Sequence, residues 1–459
     1  MTENNDFLGT EPVGKLMFKL AVPAVAAQLI NMLYNIVDRV YIGHMPENGD
    51  LALTGVGVCL PIIMLVSAFA ALVSMGGAPR ASMFMGKGDM HSAEKTISNC
   101  FSLQLIVSVV LTTVLLIWNK EFLLAFGASE NTIEYAVGYM NIYAIGTVFV
   151  QLTLGMNAFI TAQGFAKTSM YTVLIGAVCN IILDPILIFG FDMGVEGAAL
   201  ATILSQAISA IWVVGFLFGK KTIVKIKLKF MKLTSKIIFP CIALGLAPFI
   251  MQASESVIFV CFNTSLLKYG GDIAVGAMTI LTGVMQFTML PMQGFSQGAQ
   301  PISSYNFGAK NSERVKKTFS LLLRVCLIYS FLIWAAVMLF PQFFAKIFTP
   351  DPALIEYTKW ALRIYMSVSL LMGIQIACQM TFISIGNAKS SIVVAIVRKF
   401  LTLIPFIYLL PQFFEDKTMA VYLAEPVADV IAVTFTICLF VVQFKKSLKS
   451  LNAPTVIKS

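Results

Sequence analysis

Apolar runs of about twenty residues or more recur along nearly the whole chain, each long enough to cross a bilayer as a helix. Lipid offers backbone groups no hydrogen-bonding partner, so such a run must satisfy its own N–H and C=O groups, as an α-helix does. Of the 459 residues, 58% are hydrophobic and 12% charged, whereas an ordinary soluble domain has about a quarter charged. The chain reads as an all-α polytopic membrane protein. Apolar windows and breakers place twelve transmembrane helices near 15–42, 51–85, 92–118, 132–162, 168–190, 196–218, 237–267, 273–305, 314–340, 354–385, 391–411 and 418–444. Several runs exceed what a bilayer needs and should tilt, bend or project into water. Pro23, Pro61, Pro185, Pro248 and Pro291 are the expected bend points.

Orientation follows from the basic residues. The termini, the even-numbered loops and the central loop together hold twenty-two Lys and Arg, among them Lys15, Arg80, Lys310, Lys389 and Lys458, against five in the odd-numbered loops. Both termini are therefore expected in the cytoplasm, as in a multi-pass protein of the inner membrane. The net charge of +9 is then topological, and no nucleic-acid partner is expected. The polar stretch Met1 to Gly14 has no cleavable signal pattern. The eight cysteines lie singly in or beside apolar runs and read as small buried hydrophobes, and His44 and His91 are too isolated to form a metal ligand set.

Sliding the chain against itself by 222 residues brings unusual positions into register. Ser74, Gly76, Pro79, Ser82 and Gly86 fall on Ser296, Gly298, Pro301, Ser304 and Gly308, while Gly164, Ala166, Lys167 and Ser169 fall on Gly386, Ala388, Lys389 and Ser391. Six helices per copy is an even number, so both copies insert with the same topology and their pseudo-twofold axis lies along the membrane normal. The expected organisation is an N-lobe over residues 1–219, a Lys-rich linker over 220–236 and a C-lobe over 237–459. Substrates of transporters so built bind between the halves.

Against this apolar background Asp184 stands out, in Asn180-Ile181-Ile182-Leu183-Asp184-Pro185. A charge facing lipid there would cost at least a few kcal/mol, so it is expected to face a watery cavity, carry a proton or bind a cation. On the first helix Gln28, Asn31, Tyr34, Asp38 and Tyr41 share one face, and on the fifth Thr172, Gly176, Asn180 and Asp184 do. With the N-terminus inside, Asp38 lies about 6 Å, and Asp184 and Thr202 about 9 Å, below the outer ends of their helices. Two carboxylates in one poorly hydrated pocket do not both ionise readily, which makes H⁺ or Na⁺ welcome at Asp38, Asn180 and Asp184. The alternative for Asp38 is a pairing with Arg39. Glu255, beside Gln252, Ser254 and Ser256, is a candidate second ion site, or else a structural partner of Arg398 or Lys399; Glu425 and Asp429 have the same two basic residues as candidate partners. Gln286 belongs to a polar stripe on the eighth helix, and Met289 to a run of methionines suited to varied apolar ligands.

Two stretches carry a family resemblance. Asn180-x-x-x-Asp184-Pro185-x-x-Ile188-Phe189 with Gly194-x-x-Gly197-Ala198-Ala199-x-Ala201-Thr202 is one; Gln293-Gly294-x-x-Gln297-Gly298-x-x-Pro301-x-x-x-Tyr305-Asn306-Phe307-Gly308 is the other. They resemble the multidrug and toxic compound extrusion (MATE) family, in the style of its bacterial DinF-like branch, and the likeness extends over nearly the whole chain. The resemblance implies a V-shaped pair of six-helix lobes acting as a monomer, without a cofactor, that exports amphipathic and often cationic drugs in exchange for H⁺ or Na⁺. It implies an ion-coupling site at Asp38, Asn180, Asp184 and Thr202, a bend at Pro23, and substrate-facing Asn31, Tyr34 and Asn157. Glu255 matches an acid that the family's NorM-type branch pairs with an aspartate on helix ten, where this chain has Gly373 and Gln375 and no acid. Two alternatives stay open: a lipid-linked oligosaccharide flippase of the same superfamily, and an integral membrane enzyme, which would need clustered ligands that no H-E-x-x-H-like motif supplies.

Overall fold

The computed structural model describes residues 7–45 and 49–452; Met1 to Asp6 of the polar N-terminus and Lys458 of the basic tail lie outside them. The described residues form helices and connecting turns. We number the spans α1 (Val13–Gly43), α2 (Gly49–Gly86), α3 (Met90–Ala125), α4 (Ile133–Ile145 with Thr147–Ala162), α5 (Ala166–Gly190) and α6 (Gly194–Phe218). A single 74-residue helix, Ser235–Gly308, follows. At about 1.5 Å per residue it would be some 110 Å long, over three times the roughly 30 Å of a hydrocarbon core. Gly271 interrupts it with φ 69° and ψ −165°, a conformation that a side chain would resist. It is thus two spans, α7 (235–270) and α8 (272–308). The remainder are α9 (Ser312–Leu339), α10 (Pro352–Tyr365 with Ser369–Ser384), α11 (Ala388–Gln412) and α12 (Lys417–Asn452). Twelve spans therefore cross the described chain, at the positions the apolar runs predicted.

Two helices bend at breaks that carry no proline. α4 turns by 58° around Gly146 and α10 by 47° between Tyr365 and Ser369, neither at a proline. Of the five predicted bend points, Pro185 marks a change of helix type, since Ile186–Gly190 continues α5 as a π-helix; Pro23, Pro61, Pro248 and Pro291 lie inside continuous helices. Neighbouring helices and local adjustments re-satisfy the backbone group that a buried proline frees.

The 222-residue repeat is structural. Gly88 (φ 74°) and Lys310 (φ 59°) each turn the chain out of a helix, followed by Asp89 and Asn311 as helix caps that accept from the Ser92 and Arg314 amides at 3.0 and 3.1 Å. Each cap's own amide bonds back to the preceding helix, at Phe84 and Asn306, at 2.9 Å. Gly164 and Gly386, equivalent at the same offset, both have positive φ.

The halves meet at the end of the bundle that carries the described chain ends, through glycines. A Cβ on Gly86 would lie 1.9 Å from the Tyr305 carbonyl, and one on Gly308 would lie 2.0 Å from the Met83 carbonyl. The two contacts exchange under the repeat, as a twofold crossing requires. Gly76 and Gly245 seat α2 against α7 in the same way, at 1.8 Å from the Cys241 and Leu72 carbonyls, while Gly294 and Gly298 seat α8 on α1 at Val25 and Ala21. Dispersion from such close approach is the main attraction between helices in lipid. Toward the other end, Asn31, Gln252, Thr279 and Gln286 are exposed on these same helices. The bundle is sealed at one end and open at the other.

Candidate functional site

Asp184 is fully buried and Asn180 is 2% exposed, although both are polar and sit in an apolar stretch of α5. Their four-residue spacing puts them on one helix face, and Asn180 Nδ2 donates to Asp184 Oδ1 at 3.2 Å. α1 brings Asp38 and Tyr34 within Coulombic reach of Asp184. Asp38 forms no ion pair with Arg39 among the described residues. Thr202, at the start of α6, lies within hydrogen-bonding reach of the Tyr139 hydroxyl from α4.

Beside this cluster is a cavity of about 40 Å³. Its polar wall comes from four helices: Asn31 and Tyr34 of α1, Thr153 of α4, Asn180 of α5, and Thr202 and Gln206 of α6. A cavity needs roughly 10–15 Å³ of this kind of volume to hold one water, so the space suits a small ion with a few waters and is far too small for a drug. Gly176 keeps it open, since a Cβ there would stand 2.7 Å from Ser209 Oγ.

The hydrogen-bond balance is weighted toward unmet acceptors. Asp38 Oδ1, Asn180 Oδ1, Asp184 Oδ2 and Gln206 Oε1 are buried acceptors without a partner. Buried polar atoms are normally satisfied, and leaving an acceptor unmade costs about 1–3 kcal/mol. Ser205 Oγ, a hydroxyl on the same cavity wall, is unpartnered as well, so unmet acceptors outnumber unmet donors, and oxygen ligands in excess are what a proton or a hard cation takes.

The other expected residues are dispersed. Asn31 and Tyr34 line the cavity. Asn157 is tied to α5 through Nδ2 to the Ser169 carbonyl at 3.3 Å, with Oδ1 unpartnered. Gln286 is exposed toward the open end, Met289 packs against the central core, Gln28 is half-buried, and Pro23 is buried within α1. Glu255 stands apart: Lys399 Nζ donates to its Oε1 at 2.6 Å, which is the structural pairing weighed above against an ion site. Arg398 reaches Asp429 at 3.0 Å and Glu425 at 3.6 Å. Tyr139 was not anticipated, because it lies in an apolar aromatic stretch and no spacing marks it.

Comparisons with known proteins place this geometry. The model of the MatE family matches twice, over residues 23–186 and again over 248–409. The chain is 26% identical over 400 residues to multidrug export protein MepA of Staphylococcus haemolyticus, covering 87% of each chain. It is 25% identical over 405 residues to MepA of Staphylococcus aureus, covering 88% of each. Among solved structures, a crystal structure of MATE in the bent conformation superposes with a TM-score of 0.92 at 22% identity, covering 99% of this chain and 100% of that one. An outward-facing multidrug resistance MATE family transporter superposes with 0.89, covering 98% and 100%. With twelve apolar helices, an internal twofold and the family pattern present in both halves, the chain is a multi-pass membrane protein that belongs to the MatE family.

Proposed function

We propose that this protein is an ion-coupled exporter of amphipathic, often cationic compounds, working by alternating access. The observation that carries the reading is the set of unpartnered acceptors of Asp38, Asn180 and Asp184 gathered beside a cavity sized for a small ion. The MepA relatives are named as multidrug export proteins, which supports a substrate class of varied drugs. The basic residues of the even and central loops favour a cytoplasmic placement of the sealed end in a bacterial inner membrane, so the arrangement described is the outward-open one. No enzymatic step is needed.

In this reading the lobes 1–219 and 237–459, joined by the linker 220–236, rock about the glycine seam, and one chain suffices. Outward-open, Asp38 and Asp184 take H⁺ or Na⁺ with Asn180 and Thr202 as neutral ligands, α1 rearranges about Pro23, and the drug leaves past Asn31, Tyr34 and Gln286. Inward-open, the ion dissociates and the next drug binds between the lobes. Ion binding must favour one conformation, because equal affinity for both would move nothing.

The test is dye export by everted vesicles energised with H⁺ or Na⁺. Asp184→Asn, which keeps shape and hydrogen bonding but not the charge, should abolish export at normal expression, and the ion gradient that drives wild type names the coupling ion. Normal export by a well-expressed Asp184→Asn protein would overturn the assignment.

A further inference from the structure

The second half carries a cleft at the open end of the bundle, away from the coupling site. It encloses about 350 Å³ where α9 ends, between the short helix Pro341–Phe348 that follows and the first segment of α10. Its charged wall is Lys346, Lys359 and Arg363, and no carboxylate lines it among the described residues. Basic residues are scarce at this end, with five in its connecting loops against twenty-two at the other. Two of those five, Lys346 and Lys359, nevertheless meet here, and Arg363 joins them. The three are also largely uncommitted. Among the described residues Lys346 and Arg363 have no ion pair, and Lys359 has only the exposed Glu356 at 3.2 Å, a contact worth little at a surface. Arg363 spends Nε on the Met338 carbonyl at 3.3 Å, which leaves the outer edge of its guanidinium for another acceptor.

Beside the cations the surface is apolar. The short helix turns Pro341 and Ala345 inward and sets Phe348 against Gly283 and Phe287 of α8. Its outer face carries Phe343 and Ile347, one turn apart, and with Leu339 these side chains are 59% to 68% exposed. A helix with apolar side chains on one side and cations beside them suits the boundary between headgroups and acyl chains. The repeat shows that the fold itself does not ask for this chemistry. The backbone leaves helical geometry at Trp118 in the first half and at its equivalent, Phe340, in the second. At the same offset Lys346, Lys359 and Arg363 fall on Leu124, Val137 and Asn141, and Phe343 falls on Glu121. Asn141 is itself taken up by Asn119. The shared scaffold thus carries a cationic cleft with an apolar lip in one half only.

We propose that this cleft binds the phosphodiester headgroup of an anionic phospholipid, in the leaflet that the open end faces. Arg363 and the two lysines take the phosphate oxygens, the guanidinium through its planar fork and the lysines as point charges. The acyl chains run past Leu339, Phe343 and Ile347 into the hydrocarbon. A cationic solute is repelled by the same groups, so the cleft is separate from the transport path. The lipid joins the end of α9, the short helix and α10 just before the 47° break of α10, and so braces the outer rim of the second half.

The experiment follows thermal unfolding of the purified protein in an uncharged detergent while dihexanoyl phosphatidylglycerol is added. Parallel titrations use dihexanoyl phosphatidylcholine, which has the same chains and no net charge, and free glycerol 3-phosphate, which has no chains. Wild type should show a saturable rise in Tm with phosphatidylglycerol alone. Lys346→Gln/Lys359→Gln/Arg363→Gln should weaken the apparent affinity roughly tenfold or more. Lys346→Gln alone, at an exposed position of the short helix, should give a smaller drop in the same direction and serves if the triple variant does not fold. Lys220→Gln/Lys221→Gln/Lys229→Gln, which removes three exposed charges from the linker, should bind as wild type does. Unchanged affinity in the cleft variants, an equal loss in the linker variant, or an equal response to phosphatidylcholine would each overturn the proposal. Equal stabilisation by glycerol 3-phosphate would overturn a lipid as the occupant, because the cleft would then need no acyl chain.

Discussion

Replacing Gly245 by alanine should loosen the sealed end of the bundle. The new methyl would stand 1.8 Å from the Leu72 carbonyl oxygen and 2.7 Å from its carbon. Both obstacles are helical backbone, so no rotamer change relieves them; α2 and α7 must separate by about 1 Å or more to restore ordinary contact. Overpacking of this kind costs about 1–3 kcal/mol, and under the rocking scheme the sealed arrangement bears nearly all of it. A penalty of that size shifts a two-state equilibrium by roughly 5- to 150-fold. The assay uses the protein's own thiol: Cys241 is fully buried at this seam, whereas Cys438 is exposed and Cys179 half-buried, and both would first be replaced by serine. Maleimide labelling of Cys241 should accelerate by the same factor in Gly245→Ala. Gly57→Ala is the control, because nothing lies within 4 Å of a Cβ there, and its labelling should match wild type. Wild-type labelling in Gly245→Ala with an unchanged Tm would refute the claim that close backbone approach holds this end shut.

Two further outcomes follow from particular contacts. Arg314 ties the N-terminal segment to both α8 and α9, donating to the Leu8 and Glu11 carbonyls at 3.0 and 2.8 Å and to Asn306 Oδ1 at 3.0 Å; Arg314→Ala should cost about 2 kcal/mol, seen as a lower Tm and faster proteolysis near Leu8. Asp429→Leu should destabilise by up to about 3–5 kcal/mol because it removes the hydrogen-bonded partner of the buried Arg398 and leaves it Glu425 at 3.6 Å, while Asp429→Leu with Arg398→Met and Glu425→Gln should recover most of the loss, measured by thermal unfolding in detergent.

How much of this was legible in the sequence depends on the range of the interaction involved. Twelve spans could be placed because the bilayer sets a length and a polarity that a linear window detects. The duplication was visible as a constant offset, and the structure repeats it in the paired turns at Gly88 and Lys310 and in the matched crossing of Gly86 and Gly308. Asp184 announced itself because a carboxylate in an apolar run needs a reason, and its bond with Asn180 follows from helical spacing alone. The breaks at Gly146 and before Ser369 were not legible, because no proline marks either of them. Pairing was not legible either. Nothing local says that Lys399 reaches Glu255 across 144 residues, or that Tyr139 turns toward Thr202. Composition and period determined the membrane, the helices and the twofold, because those depend on neighbours along the chain. Only the tertiary structure decided which carboxylates stay unpartnered and which are held by a cation, because that depends on which helices lie side by side.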